Sequence, residues 1–117
     1  MTALLPEILA QRLTPSGRAE YDLSLPADVF AFAGHFPGLP ILPGVVQLHW
    51  AIHFGARHFE WPGPFTAVEQ LKFLAAVRPQ DRLTLSLSWD EARARLQFEY
   101  CGGRKKVSRG QVIFSRP

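Results

Sequence analysis

His35 stands in the segment Phe32-Ala-Gly-His-Phe-Pro-Gly-Leu-Pro-Ile-Leu-Pro-Gly44, which holds three prolines and three glycines. Proline fixes φ and glycine permits close backbone approach, so such a loop is stiff by construction. An imidazole takes or gives a proton near neutral pH. The segment runs into a helix, and a helix start offers unpaired N–H groups and a partial positive charge. Gly44 has no side chain to shield its N–H. A proton-transfer group beside a donor for a developing oxyanion is the chemistry this pattern can do.

Other candidate groups are fewer. His49 follows His35 by fourteen positions and would lie on the helix. His53 comes one helical turn later, and histidines at that spacing can share a metal ion, but no third ligand stands at a suitable spacing except His35. No metal site is expected. His58 falls near the helix end, where a cation is favoured and a structural or surface role is expected. Gln47 is expected to hydrogen-bond the loop and is given no chemistry. Cys101 stands near Arg104, Lys105 and Lys106, which would lower its pKa slightly if it is exposed, yet no base is positioned to use it.

These residues need elements to hold them. Residues 45–60, VVQLHWAIHFGARHFE, contain no proline and are apolar on nearly every side, which predicts one enclosed helix of about 24 Å. Pro43-Gly44 opens it and Trp61-Pro62-Gly63-Pro64 stops it. Gly55 and Ala56 leave a thin side for a sheet to approach. Beyond it the period changes to two. Arg82 to Trp89 alternates leucines and Trp89 with Thr84, Ser86 and Ser88. Arg93 to Tyr100 repeats the pattern after the short Asp90-Glu91-Ala92 connection. Gly102-Gly103 marks the next turn. Residues 106–115 put Ser108, Gly110, Val112 and Phe114 on one face, small enough for the helix to cross there. Arg18 to Leu25 and Thr66 to Ala76 read as two further strands. The order is strand, long loop, helix, four antiparallel strands.

Length and composition bound the class. The chain has 117 residues, which predicts a single domain covering 1–117. A single cysteine excludes an internal disulfide. No apolar run reaches the roughly 18–20 residues of a membrane span, and the N-terminus lacks a signal-peptide pattern, so a cytoplasmic protein is expected. A net charge of +3 is too mild to argue nucleic-acid binding. The aromatic residues Phe30, Phe32, Phe36, Trp50 and Phe54 read as core or tunnel wall rather than as a platform for bases.

The string His35-Phe-Pro-Gly-Leu-Pro-Ile-Leu-Pro-Gly44-Val resembles the active-site segment of the hot-dog-fold 3-hydroxyacyl-[acyl-carrier-protein] dehydratases of bacterial fatty-acid synthesis. Leu71-Lys-Phe-Leu-Ala-Ala-Val-Arg-Pro-Gln-Asp-Arg-Leu is similar to a second segment of that family, with Gln80 where glycine is usual. Val29-Phe30-Ala-Phe-Ala-Gly-His resembles the family's aromatic approach to its histidine. The resemblance spans roughly residues 18–115. Pro-Ile-Leu-Pro-Gly-Val-Val-Gln-Leu is similar to a subgroup of aryl-polyene and related lipid pathways.

The resemblance implies an α+β hot-dog fold, a curved antiparallel sheet wrapped around one long central helix. It implies a homodimer or higher even oligomer with sites at the subunit interface. The match of His35 handles the α-proton of a 3-hydroxyacyl thioester, and the backbone N–H matching Gly44 holds its carbonyl. Phe32, Phe36, Gly38, Pro43 and Val45 fall on the segments that would border the substrate. The partner is an acyl carrier protein presenting a phosphopantetheine-linked acyl chain, with no metal or organic cofactor. The basic residues from Arg93 onward would dock that acidic partner or simply form a solvated face.

One position departs from the family. Fourteen residues after the histidine the family has an acidic residue, contributed by the partner subunit, that faces the β-hydroxyl; here it is His49. Two imidazolium ions in one pocket would repel, so a working version keeps His35 neutral as base and has His49 donate to the hydroxyl. Alternatively His49 is satisfied by a neighbouring carbonyl after loss of the acid. Three functions follow: a dehydratase giving a trans-2-enoyl thioester, a hot-dog thioesterase, or a non-catalytic acyl or carrier-protein binding module.

Overall fold

In the computed structural model, residues 5–25 and 42–116 are described. They form β1 (Glu7–Leu13), β2 (Ala19–Ser24), α1 (Gly44–Gly55), β3 (Phe65–Phe73), β4 (Arg82–Asp90), β5 (Arg95–Gly102) and β6 (Lys105–Phe114). The six strands make one antiparallel sheet in the order β1-β2-β4-β5-β6-β3. The one helix among the described residues packs on one face of it, the hot-dog arrangement the resemblance implies.

Alternation decides which face is inner. On β2, β4 and β5, the residues Tyr21, Leu23, Leu85, Leu87, Leu96 and Tyr100 are wholly buried, and their neighbours in sequence face out. On β6, Ser108, Gly110, Val112 and Phe114 are buried as the period predicts. A β-carbon on Gly110 would come within 2.9 Å of the Phe98 ring and 3.0 Å of Leu71, so the small residue is required there.

The β5–β6 hairpin turns at Gly103-Arg104. Gly103 has φ 64, the positive value a type II′ turn needs at its first central position. The β4–β5 turn is longer than the three residues expected. Asp90 pairs with Arg95, Ala94 takes φ 53, and Asp90 Oδ1 accepts the Arg93 N–H at 3.1 Å. That side-chain bond braces a four-residue loop, and β5 starts two residues later than alternation alone indicates.

Two further expectations change. Glu7–Leu13 is a strand that the sequence reading passed over. Its residues, EILAQRL, are helix formers with no clean alternation, and every one is exposed. It is held by pairing to β2 and by Arg12, which bonds Glu20 at 2.8 Å and Asp22 at 2.9 Å. The helix is also shorter than 45–60. It ends at Gly55, where the Ala56 N–H still bonds Ile52 and the chain turns over residues 56–58. His58 then reaches the Tyr21 hydroxyl through Nε2 at 2.5 Å, tying this turn to β2 in the structural role expected of it.

Nor is the helix enclosed on all sides. Gln47, Trp50, Ala51, Phe54 and Gly55 are buried against the sheet, at helical spacing. A β-carbon on Gly55 would meet Leu96 and Trp61 at 3.1 Å, so Gly55 supplies the expected thin side, whereas Ala56 is exposed in the turn beyond the helix. The opposite face carries Val45, 72% exposed, and His49, also exposed. Among the described residues, no helix is long and apolar enough to cross a membrane.

Candidate active site

The described part of the site is the start of α1. Pro43 is its N-cap residue, with φ −61 and ψ 145, and its carbonyl accepts the N–H groups of Val46 at 3.1 Å and Gln47 at 3.3 Å. Proline suits this place because it lacks the N–H that a helix start leaves unpaired. Gly44 follows directly. The Phe73 ring at the end of β3 lies where a Gly44 side chain would stand. His35, Phe32, Phe36 and Gly38 lie outside the described residues, while Pro43, Gly44, Val45 and His49 cluster within the first two turns of α1.

Both ends of the segment that carries His35 are held by one turn, Val77–Asp81. The Leu25 N–H donates to the Asp81 carbonyl at 3.0 Å, and the Gln80 N–H donates to the Leu25 carbonyl at 2.6 Å. The Leu42 N–H donates to the Val77 carbonyl at 2.8 Å. The turn braces itself, because Asp81 Oδ2 accepts the Arg78 N–H at 2.9 Å. Gln80 has φ 70, the left-handed region that favours glycine, which is the residue the resembling family uses there. The resemblance marked this segment, but its function as a clamp on residues 25 and 42 is visible only in the folded chain.

His49 and Val45 share the face turned away from the sheet, so His49 is aimed outward from its own subunit. His53, one turn on, has Nε2 buried without a hydrogen-bond partner. Burial, then Arg57 and His49, lower its pKa below the usual 6.5. Among the described residues no group of three or more His, Cys, Asp or Glu side chains could hold a metal ion.

Cys101 does not meet the condition of exposure on which a lowered pKa was expected. It is half-buried, its thiol donates to Glu99 Oε1 at 3.6 Å, and burial followed by that carboxylate raises its pKa rather than lowering it. The basic residues after Arg93 are dispersed. Arg95 meets Glu69 at 3.3 Å and Lys106 meets Glu99 at 3.8 Å, while Arg116 bonds the Glu91 carbonyl. A concavity of about 430 Å³ opens among Lys72, Ser86, Gln97 and Arg109 on the outer sheet face, opposite the helix, so it does not belong to this site.

Sequence reasoning gave Gln47 only a loop bond. It is 3% exposed, its side-chain oxygen accepts the Ser108 hydroxyl at 2.7 Å, and its carbonyl accepts the Tyr100 hydroxyl at 2.6 Å. The readable signal was a glutamine on an apolar helix face opposite the inward Ser108.

The profile of the ApeI-like dehydratase family matches residues 11–111. A 3-hydroxyacyl-[acyl-carrier-protein] dehydratase FabZ from Herpetosiphon aurantiacus is 36% identical over 72 residues, covering 56% of this chain and 51% of that protein. A FabZ from Chloroflexus aggregans is 33% identical over 98 residues, covering 75% of this chain and 68% of that one. The chain therefore spans about half the length of the first of these relatives and two thirds of the second. The dehydratase heterocomplex ApeI:P from Xenorhabdus doucetiae contains a chain with TM-score 0.88 and 29% identity, covering 96% of this chain and 99% of that one. The fluoroacetyl-CoA-specific thioesterase FlK, at 18% identity and TM-score 0.56, shares the fold alone.

Proposed function

The chain belongs to the ApeI-like dehydratase family, and from that premise we propose that it removes water from a 3-hydroxyacyl thioester to give the trans-2-enoyl thioester. The observation that carries the reading is the helix start: Gly44 directly after a proline cap, two residues beyond Leu42, which with Leu25 is clamped to Val77–Asp81. The Gly44 N–H and the helix dipole there favour the negative charge that develops on the thioester oxygen. His35, neutral, takes the α-proton, the Cα–Cβ double bond forms, and the β-oxygen leaves as water with a proton from the imidazolium form of His49, so that His35 ends cationic and His49 neutral.

His49 faces away from its own sheet, which supports its serving a site shared with a second subunit. The β3 edge favours the same arrangement. It ends the sheet, and Phe65, Phe73 and Leu74 are about half exposed along or just beyond it. Pairing of two such edges covers both. The second subunit is a homodimer partner in the simplest form. The ApeI:P heterocomplex favours a second form, a non-identical hot-dog subunit that supplies the carboxylate this helix lacks. The natural substrate is carried by an acyl carrier protein, in fatty-acid or related polyene synthesis, and the protein is cytoplasmic.

The thioesterase reading has less support. It needs a carboxylate to activate water, and α1 contains none. The test is to incubate the chain with 3-hydroxyacyl and trans-2-enoyl carrier-protein thioesters and follow products by mass. Interconversion by one water supports the proposal. Release of free acid would identify a thioesterase, and binding without turnover a carrier module. Repeating the assay with a co-expressed second hot-dog subunit separates the homodimer from the mixed form.

A further inference from the structure

We propose that Gln47 is a positioning residue for the Gly44 N–H. The inference rests on the dehydratase reading above for its catalytic consequence, though not for its geometry. Gln47 sits on the buried face of α1 among Trp50, Ala51 and Phe54, where a hydrophobic residue of similar size would pack without any polar group to satisfy. Its polar groups are instead all engaged. Oε1 accepts the Ser108 hydroxyl at 2.7 Å, and the carbonyl accepts the Tyr100 hydroxyl at 2.6 Å. Nε2 reaches the Leu42 carbonyl at 3.5 Å, and the Gln47 N–H reaches the Pro43 carbonyl at 3.3 Å.

Two of these bonds run to the sheet, on β5 and β6. The other two run back to Leu42 and Pro43, the residues immediately before Gly44. Gln47 therefore connects the sheet to the peptide whose next N–H is the oxyanion donor. Ser108 closes the arrangement from the other side, because it is paired across the strands with Phe73, whose ring lies over Gly44. Apolar packing is not directional and leaves a helix free to slide or roll by a fraction of a turn. Hydrogen bonds at fixed angles remove that freedom. A displacement of about 1 Å at a group that must meet a transition state costs on the order of 100-fold in rate. Gln47 and Ser108 act on the reaction only through Gly44.

The test uses Gln47→Met and Ser108→Ala in the full chain. Each should lower kcat for the carrier-protein substrate about tenfold or more while KM stays within about twofold, as loss of a contact made in the transition state requires. The double variant should be no worse than the poorer single one, since both remove the same bond. The amide resonances of Gly44 and Val45, assigned by NMR, should move in both variants. Unmoved Gly44 and Val45 amides, or moved amides with wild-type kcat, overturn the inference. If the wild-type chain does not dehydrate, the functional reading fails, and the amide resonances still decide whether Gln47 sets the helix start.

Discussion

A β-carbon on Gly44 would lie 2.3 Å from Cζ of Phe73, so the first residue of α1 and the end of β3 occupy each other's side-chain space. The ring is about half exposed, so it is held by this contact and by its strand rather than by surrounding core. The glycine is needed for the approach and not for an unusual backbone angle.

Gly44→Ala should therefore displace the half-exposed Phe73 ring and destabilise the protein by about 1 kcal/mol, the low end for forcing atoms into filled space. Phe73→Ala in the same chain should return much of it. Urea unfolding of the two single variants and the double variant gives the coupling energy. Strict additivity would mean that the ring moves aside freely.

Gln80 holds a left-handed conformation within the clamp on Leu25 and Leu42. Gln80→Gly should remove that strain and raise stability by up to about 1 kcal/mol, net of glycine's greater freedom in the unfolded chain. Thermal unfolding should show a midpoint a few degrees higher. A lower midpoint would mean that the glutamine side chain contributes more than its backbone costs.

The folded chain holds the His53 pKa below its unfolded value of about 6.5. The unfolded state then binds more protons as pH falls through that value, so stability declines with acidification and is recovered at higher pH. His53→Leu should flatten the dependence between about pH 7.5 and about pH 5, read from urea midpoints. An unchanged slope would assign the acid sensitivity to other groups.

His49 stands at the position where the family resemblance implies an acid. If it donates to the departing hydroxyl, His49→Ala should lower kcat about 100-fold, within the usual range for a general acid. His49→Glu should remain below wild type if the imidazole has its own role in the reaction. Turnover above wild type in the glutamate variant would show that the natural residue weakens an ancestral site.

The inner faces of β4, β5 and most of β6 were legible because these strands are half-buried and alternate, apart from the consecutive buried pair Val107 and Ser108. Glu7–Leu13 was not, since an edge strand exposed along its length needs no alternation. The helix end was misplaced because residues 56–60 remain mixed in polarity and no breaker appears before Trp61-Pro62. His35 and Gly44 were singled out from local motif chemistry and the family resemblance, and of the two only Gly44 lies among the described residues. The contributions of Gln47, Ser108, Phe73 and the Val77–Asp81 clamp depend on contacts between segments far apart in sequence, which no local pattern encodes.

The central claim is that His35 removes the α-proton. The most direct measurement is the turnover of His35→Ala on a 3-hydroxyacyl carrier-protein thioester, with folding of the variant verified by its unfolding curve. The account predicts a loss of at least about 100-fold in kcat with the product still undetected as free acid. Turnover equal to that of the wild type would contradict it.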